Sequence, residues 1–109
     1  MVKIAVQDAG KLVESAFKAA CGSTLLLEAV KGEWQRITRG MTEVGLMASG
    51  DLAIGSLKCA MDKVQTRPDQ RANLIGMFCN EWNLLTTAEA HRATENPMQG
   101  ARVVRSPRP

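Results

Sequence analysis

The fold is decided by residues 2–22, VKIAVQDAGKLVESAFKAACG, in which apolar side chains recur three or four positions apart. This spacing places them on one face of a helix, and the closing Gly22 suits the position that follows a helix C-terminus. We therefore predict one amphipathic helix across this stretch. Gly10 is its weak point, because a glycine inside a helix costs about 1 kcal/mol relative to alanine.

The alternation of Val2, Ile4 and Val6 supports a second interpretation of the same stretch. In it, these residues form a strand and Asp8 caps a shorter helix. A strand needs a partner strand, and the sequence offers only Val103-Val104, which is a poor candidate. The single helix is therefore favoured.

The same periodicity predicts further helices along the chain. Ser23 or Thr24 can cap a second helix, whose apolar stripe continues to residue 44. A third helix is predicted after Asp51, and a fourth near Pro68, because proline suits a first helical turn. Thr86 could open a fifth, short helix, or the fourth helix could continue to about residue 95. The sequence thus predicts an all-α fold, a small bundle of four to five amphipathic helices.

Glycines recur every five residues at positions 40, 45, 50 and 55. Four glycines inside one helix would cost about 4 kcal/mol, a large part of a stability of order 5–15 kcal/mol. We therefore expect no unbroken helix to contain all four. The interval from Gly40 to Gly50 is interpreted as an ordinary connection between helices, with a hinge or a contact surface as the alternative.

The net charge of +3 is confined to the C-terminal end of the chain. Residues 1–95 contain eleven basic and eleven acidic side chains, whereas residues 96–109 contain Arg102, Arg105 and Arg108 and no acid. We therefore divide the chain into a helical domain, residues 1–95, and an extended Arg/Pro-containing basic tail, residues 96–109. In a polyproline-II conformation, arginines spaced three apart point the same way and suit phosphates or carboxylates.

The residues that usually carry catalysis or bind metals are few and scattered. Cys21, Cys59 and Cys79 form no Cys-x-x-Cys pair, and His91 is the single histidine, so we predict no metal site. No catalytic set and no cofactor are predicted either. The odd number of separated cysteines favours a reducing, cytoplasmic location. The longest uncharged runs have nine residues, whereas a membrane span takes about 20.

Several helices carry a second apolar residue beside the main stripe, such as Leu46 with Met47 and Leu84 with Leu85. One small core does not need this additional apolar surface. We therefore predict a non-enzymatic protein-protein interaction module, either an assembly subunit or a small inhibitor or adaptor that occupies a partner's surface. Self-association into an oligomer would use the same surface.

Five residues are predicted to bind a partner, although tryptophans are more often part of a core: Arg102, Arg105 and Arg108 of the tail, and Trp34 and Trp82. The alternative function is a nucleic-acid-binding regulator or accessory protein that uses the basic tail. A basic edge of the folded domain would assist it, made by Arg36 and Arg39 or by Arg67 and Arg71.

Overall fold

The computed structural model describes residues 3–20 and 23–95. Within these residues the chain is mainly helical, which confirms the all-α class in its broad sense, but it also contains a small two-stranded sheet. The order of elements is β1 (Lys3–Ala5), α1 (Val6–Ala20), α2 (Thr24–Ile37), β2 (Glu43–Gly45), α3 (Leu46–Lys63) and α4 (Pro68–Glu95). The tail, with Arg102, Arg105 and Arg108, lies outside the described residues.

The start of the chain forms a strand and then a helix, so the prediction of one continuous helix was wrong. β1 pairs antiparallel with β2, with Ile4 directly opposite Val44. Both side chains are buried, whereas Lys3 and Ala5 on either side of Ile4 are exposed. The partner strand therefore comes from the glycine-rich interval and not from residues 103–104.

Helix α2 begins where its cap was predicted and ends earlier than its apolar stripe suggested. The Ser23 hydroxyl accepts a hydrogen bond from the Leu26 N–H at 3.3 Å. At the other end, the Thr38 hydroxyl donates to the carbonyl oxygen of Trp34 at 2.7 Å. Gly40 then takes a positive φ of 86°, a conformation that favours glycine, and turns the chain into β2.

Helix α3 begins at Leu46, with Gly45 as its N-cap residue, so the predicted start after Asp51 was wrong. Gly50 lies inside this helix, and so does Gly55. The expectation that no helix contains all four glycines is confirmed, because Gly40 lies in the turn and Gly45 in β2. The interval between α2 and α3 is thus a connection that also supplies a strand.

Helix α4 begins at Pro68, as predicted, and continues without a break to Glu95. Thr86, which could have opened a fifth helix, instead donates its hydroxyl hydrogen bond to the carbonyl oxygen of Trp82 at 2.8 Å. The described part of the chain therefore has four helices.

The six elements form two similar units, which we call unit 1 (β1, α1 and α2) and unit 2 (β2, α3 and α4). Each unit is a strand followed directly by a helix and then by a second helix. Helix α1 packs mainly against α4, and α2 packs mainly against α3. The main helix contacts of each unit are therefore with the other unit. The pair Ile4 and Val44 lies at the centre of this arrangement.

The first helices of the two units correspond at an offset of 40 residues. Four pairs of residues are identical: Gly10/Gly50, Leu12/Leu52, Lys18/Lys58 and Ala20/Ala60. Burial also agrees between positions that are not identical, because both members of each of these pairs are buried: Ala9/Ser49, Val13/Ala53, Ala16/Ser56 and Phe17/Leu57. The two helices therefore occupy equivalent places in the core.

The second helices correspond at an offset of 48 residues, with four further identities: Leu26/Leu74, Glu33/Glu81, Trp34/Trp82 and Thr38/Thr86. The two threonines make the same contact, since each donates to the carbonyl oxygen of the tryptophan four residues before it. The protein therefore has an internal pseudo-two-fold symmetry, and each position in one unit can be compared with its counterpart in the other.

Candidate interaction surface

A tryptophan packs over a glycine in both units and forms the floor of a groove. An ideal Cβ at Gly10 would lie 2.9 Å from the indole nitrogen of Trp34, and one at Gly50 would lie 3.3 Å from that of Trp82. The glycines thus let each indole approach the backbone of the preceding helix. Each tryptophan is only 5% exposed.

The groove in unit 1, which we call the Lys11 groove, has a volume of about 300 Å³. The counterpart in unit 2, the Met47 groove, is more than twice as large at about 690 Å³. Helix α4 enlarges the second groove because its continuation past Thr86 adds Thr87, Ala90 and His91 to the lining.

The two grooves differ in chemistry at equivalent positions. Polar or charged residues of the Lys11 groove are replaced by less polar ones in the Met47 groove in the pairs Gln7/Met47, Glu14/Ile54 and Lys31/Cys79. Lys11 itself is replaced by another charged residue, Asp51. Met47 is 75% exposed, so the apolar lining reaches the surface of the protein.

The outer side of α4 adjoins the Met47 groove and is also poor in charge. We define the α4 face as the exposed residues Asn73, Gly76, Met77, Asn80, Asn83, Leu84, Thr87 and Ala88. Leu84 is 65% exposed and Met77 is 38% exposed. A shallow depression of about 560 Å³ surrounds Leu84, and it shares Asn83 and Thr87 with the Met47 groove. The two surfaces are therefore continuous.

The equivalent side of α2 shows that the fold does not require an uncharged face. Four charged residues on or beside that side of unit 1 each correspond to an uncharged residue in unit 2: Glu28/Gly76, Lys31/Cys79, Arg36/Leu84 and Arg39/Thr87. Between residues 72 and 88 the only charged residue of α4 is Glu81. Three of these pairs lie within α2 and α4, where both backbones are helical, so their difference lies in the choice of side chains. Arg39 lies in the turn after α2, whereas Thr87 is inside α4.

The two tryptophans predicted to bind a partner are largely enclosed by the protein itself. Trp34 lines the Lys11 groove and Trp82 lines the Met47 groove. The Trp82 ring also stacks with Phe78, with 6.2 Å between the ring centroids. A molecule in either groove could reach the indole edge, and a role in partner binding stays a prediction for both residues.

Cys79 and His91 line the same groove but lie too far apart to act together as a nucleophile and its base. Both are on α4 and are separated by 12 positions, which corresponds to about 18 Å along the helix axis. A hydrogen bond between them would need about 3 Å. The groove therefore brings these two residues to one surface without pairing them.

An ion-pair cluster joins α2 to α3. Glu33, although largely buried, lies 2.7 Å from Arg36 and 3.4 Å from Lys63. The hydrogen bond from Arg36 lowers the pKa of the Glu33 carboxyl, burial opposes this effect, and Lys63 lowers the pKa further. The cluster is thus a structural contact between the two units.

We predict that Glu33→Gln destabilises the protein at neutral pH and that this loss disappears in acid. The folded protein lowers the pKa of Glu33 below its ordinary value of 4.5, so the ionised carboxyl stabilises the fold fully above that value. The contribution is lost as pH falls through the lowered pKa. Urea unfolding of both proteins at neutral and acidic pH measures the difference.

Glu81→Gln is the matched control for this prediction, because Glu81 is the counterpart of Glu33 in unit 2. No ion pair of Glu81 occurs among the described residues. Its substitution should change the unfolding free energy less than Glu33→Gln does at neutral pH. An equal effect of both substitutions would contradict the assigned role of the Arg36 contact.

Within residues 3–20 and 23–95, no group of three or more histidine, cysteine or acidic side chains is arranged to hold a metal ion. None of the helices in that part of the chain is both long and apolar enough to cross a membrane. Comparisons with protein-family models, with curated proteins and with solved structures find no match to this chain.

Proposed function

We propose that the protein is a non-enzymatic protein-interaction module, an assembly subunit or a small inhibitor or adaptor, and that the α4 face is its contact surface. The observation that carries this proposal is the loss of four charges on and beside α4 relative to the equivalent positions of unit 1, three of them on α2 and one, Arg39, in the turn that follows it. Exposed charged side chains keep a surface solvated and prevent association. Their replacement in one unit alone favours a surface that another protein covers.

The Met47 groove, which is lined by α3 as well as α4, also supports this proposal. Met47 and Leu84 are among the most exposed large apolar residues of the described chain, and they belong to the adjoining surfaces on α3 and α4. Methionine adapts its shape to a neighbouring surface because its side chain is unbranched and flexible. A partner that contacts Leu84 can therefore extend over Met47.

Photo-crosslinking tests this proposal in cells that express the protein naturally. A photoreactive amino acid in place of Leu84 should form a covalent adduct with a protein, and the adduct should be absent when the same group replaces Leu25. Leu25 is the matched control because it is also an exposed leucine on a helix, at 72% against 65% for Leu84. Equal adduct formation at both positions, or none at position 84, would contradict the proposal.

The nucleic-acid alternative receives less support from the described residues. Arg36 lies 2.7 Å from Glu33, Arg67 lies 3.0 Å from Asp69, and Arg71 lies 2.5 Å from Asp62. Acidic partners at these distances offset the positive charge that phosphates would need to meet. Among the described residues, Arg39 is the member of the predicted basic edges for which no acidic partner lies within 4 Å, so the alternative then depends on Arg39 and the basic tail.

A further inference from the structure

We infer that two copies of this chain associate through the α4 face. This inference rests on the proposed function and names the partner, which is a second copy of the same protein. Three features of the described residues carry it: the charge of the face, the spacing of its residues and the length of α4.

The charge of the α4 face suits a symmetric contact between identical chains. In such a contact the same patch meets itself, so a charged residue near the symmetry axis lies close to its own copy. The equivalent positions of unit 1 are Arg36, on the last turn of α2, and Arg39, in the turn after it, and each would be brought close to an identical arginine. At the corresponding positions α4 has Leu84 and Thr87, which meet their copies without repulsion.

The charge that remains on this part of α4 lies at the edge of the α4 face, because Glu81 is four positions after Met77 and three before Leu84. Glu81 is the counterpart of Glu33, whose carboxylate contacts Lys63 of α3 and so points towards the other unit. By the pseudo-two-fold symmetry, Glu81 lies on the side of α4 that faces α1. It is accordingly only partly exposed.

Exposed residues form one line along α4. Five members of the face, and His91 beyond it on the same side, alternate four and three positions apart: Asn73, Met77, Asn80, Leu84, Thr87 and His91. This line of residues, which we call the seam, runs along one side of α4, and Met77 and Leu84 are its exposed apolar members. These residues span about 27 Å of helix.

The length of α4 supplies a longer seam than α2 could. Helix α2 ends at Ile37, whereas α4 continues for ten residues beyond Leu85, its counterpart. The continuation adds Thr87 and His91 to the seam. Neighbouring small residues, Gly76 and Ala88, leave room for a second helix to approach.

Sedimentation equilibrium of the purified full chain tests the inference. The wild-type protein should have twice the mass of the 11.8-kDa chain. Leu84→Arg places the residue found at the equivalent position of α2 into the seam, and it should weaken association at least about 30-fold. Thr87→Arg, which restores the counterpart Arg39, should act in the same direction. Leu25→Arg should leave the dimer intact, and circular dichroism should show unchanged helix content in each variant.

The outcomes separate this inference from the proposed function. If the wild-type protein is a monomer throughout its soluble concentration range, the inference of self-association is wrong. The inferred surface is also wrong if Leu25→Arg weakens the dimer while Leu84→Arg and Thr87→Arg leave it intact. If such a monomer still gives a Leu84 adduct with a different protein, the proposed function stands and only the inference fails. If neither a dimer nor an adduct is found, both the inference and the proposed function are wrong.

Discussion

Replacing Trp82 by alanine should lower the free energy of unfolding by about 3–5 kcal/mol, and replacing Trp34 should lower it by a similar amount. Both indoles are 5% exposed, and each packs over the glycine at the equivalent position of the preceding helix. The similarity of the two losses follows from the pseudo-two-fold symmetry. Urea unfolding followed by circular dichroism measures both.

Tryptophan-to-phenylalanine variants keep this test informative if an alanine variant does not fold. Each should lose less stability than its alanine counterpart, because phenylalanine retains most of the apolar area. A loss below about 1 kcal/mol for either alanine variant would contradict a core role and favour the interpretation of that tryptophan as a partner contact alone.

Gly10→Ala should destabilise the protein by about 1–2 kcal/mol, whereas Gly50→Ala should be nearly neutral. A Cβ at Gly10 would lie 2.9 Å from the enclosed Trp34 ring, so the ring or the helix must shift. At Gly50 the corresponding distance to Trp82 is 3.3 Å, and a small movement is enough. In both variants alanine gains about 1 kcal/mol from its higher helix propensity.

Gly55→Ala is the control for this comparison. Gly55 lies inside α3 with no atom within 4 Å of an added Cβ, so the substitution should stabilise the protein by up to about 1 kcal/mol. Melting curves of the three variants should therefore rank Gly55→Ala highest and Gly10→Ala lowest. A stabilised Gly10→Ala variant would show that the indole does not press against the helix.

The helix ends that the sequence predicted correctly are those with a local chemical cause. Ser23 caps α2 through its own hydroxyl, and Pro68 suits the first turn of α4. The start of α3 was missed because its cap, Gly45, contributes no side-chain hydrogen bond. Asp51 resembled a cap only because side chains of that type often are caps.

The sheet was missed because its stability depends on contacts that are distant in the chain. Each strand has three residues, and Ile4 meets Val44 across 40 positions. Three residues are too few for a clear alternation of buried and exposed side chains. Ile4 is nevertheless the centre of the strand in the second interpretation of the N-terminal stretch.

The internal symmetry left a weak signal in the sequence. The identical pair Glu33-Trp34 and Glu81-Trp82 repeats at 48 positions, whereas Gly10 and Gly50 repeat at 40. The change in offset reflects a longer α3, a slightly longer connection, and the start of α4 at Pro68, four residues before the counterpart of Thr24. The sequence alone shows that Met47 and Leu84 are additional apolar residues beside the main stripes of their helices. Only the comparison with their counterparts in unit 1, Gln7 and Arg36, shows that polar residues occupy the equivalent positions.

Intermolecular nuclear Overhauser contacts in a mixture of isotope-labelled and unlabelled chains show directly whether two copies of the chain associate through the α4 face. We expect such contacts from the methyl groups of Leu84 and Met77 and none from Leu25 or Met41, which are also exposed. Intermolecular contacts confined to Leu25 or Met41, or none at any methyl group, would contradict it.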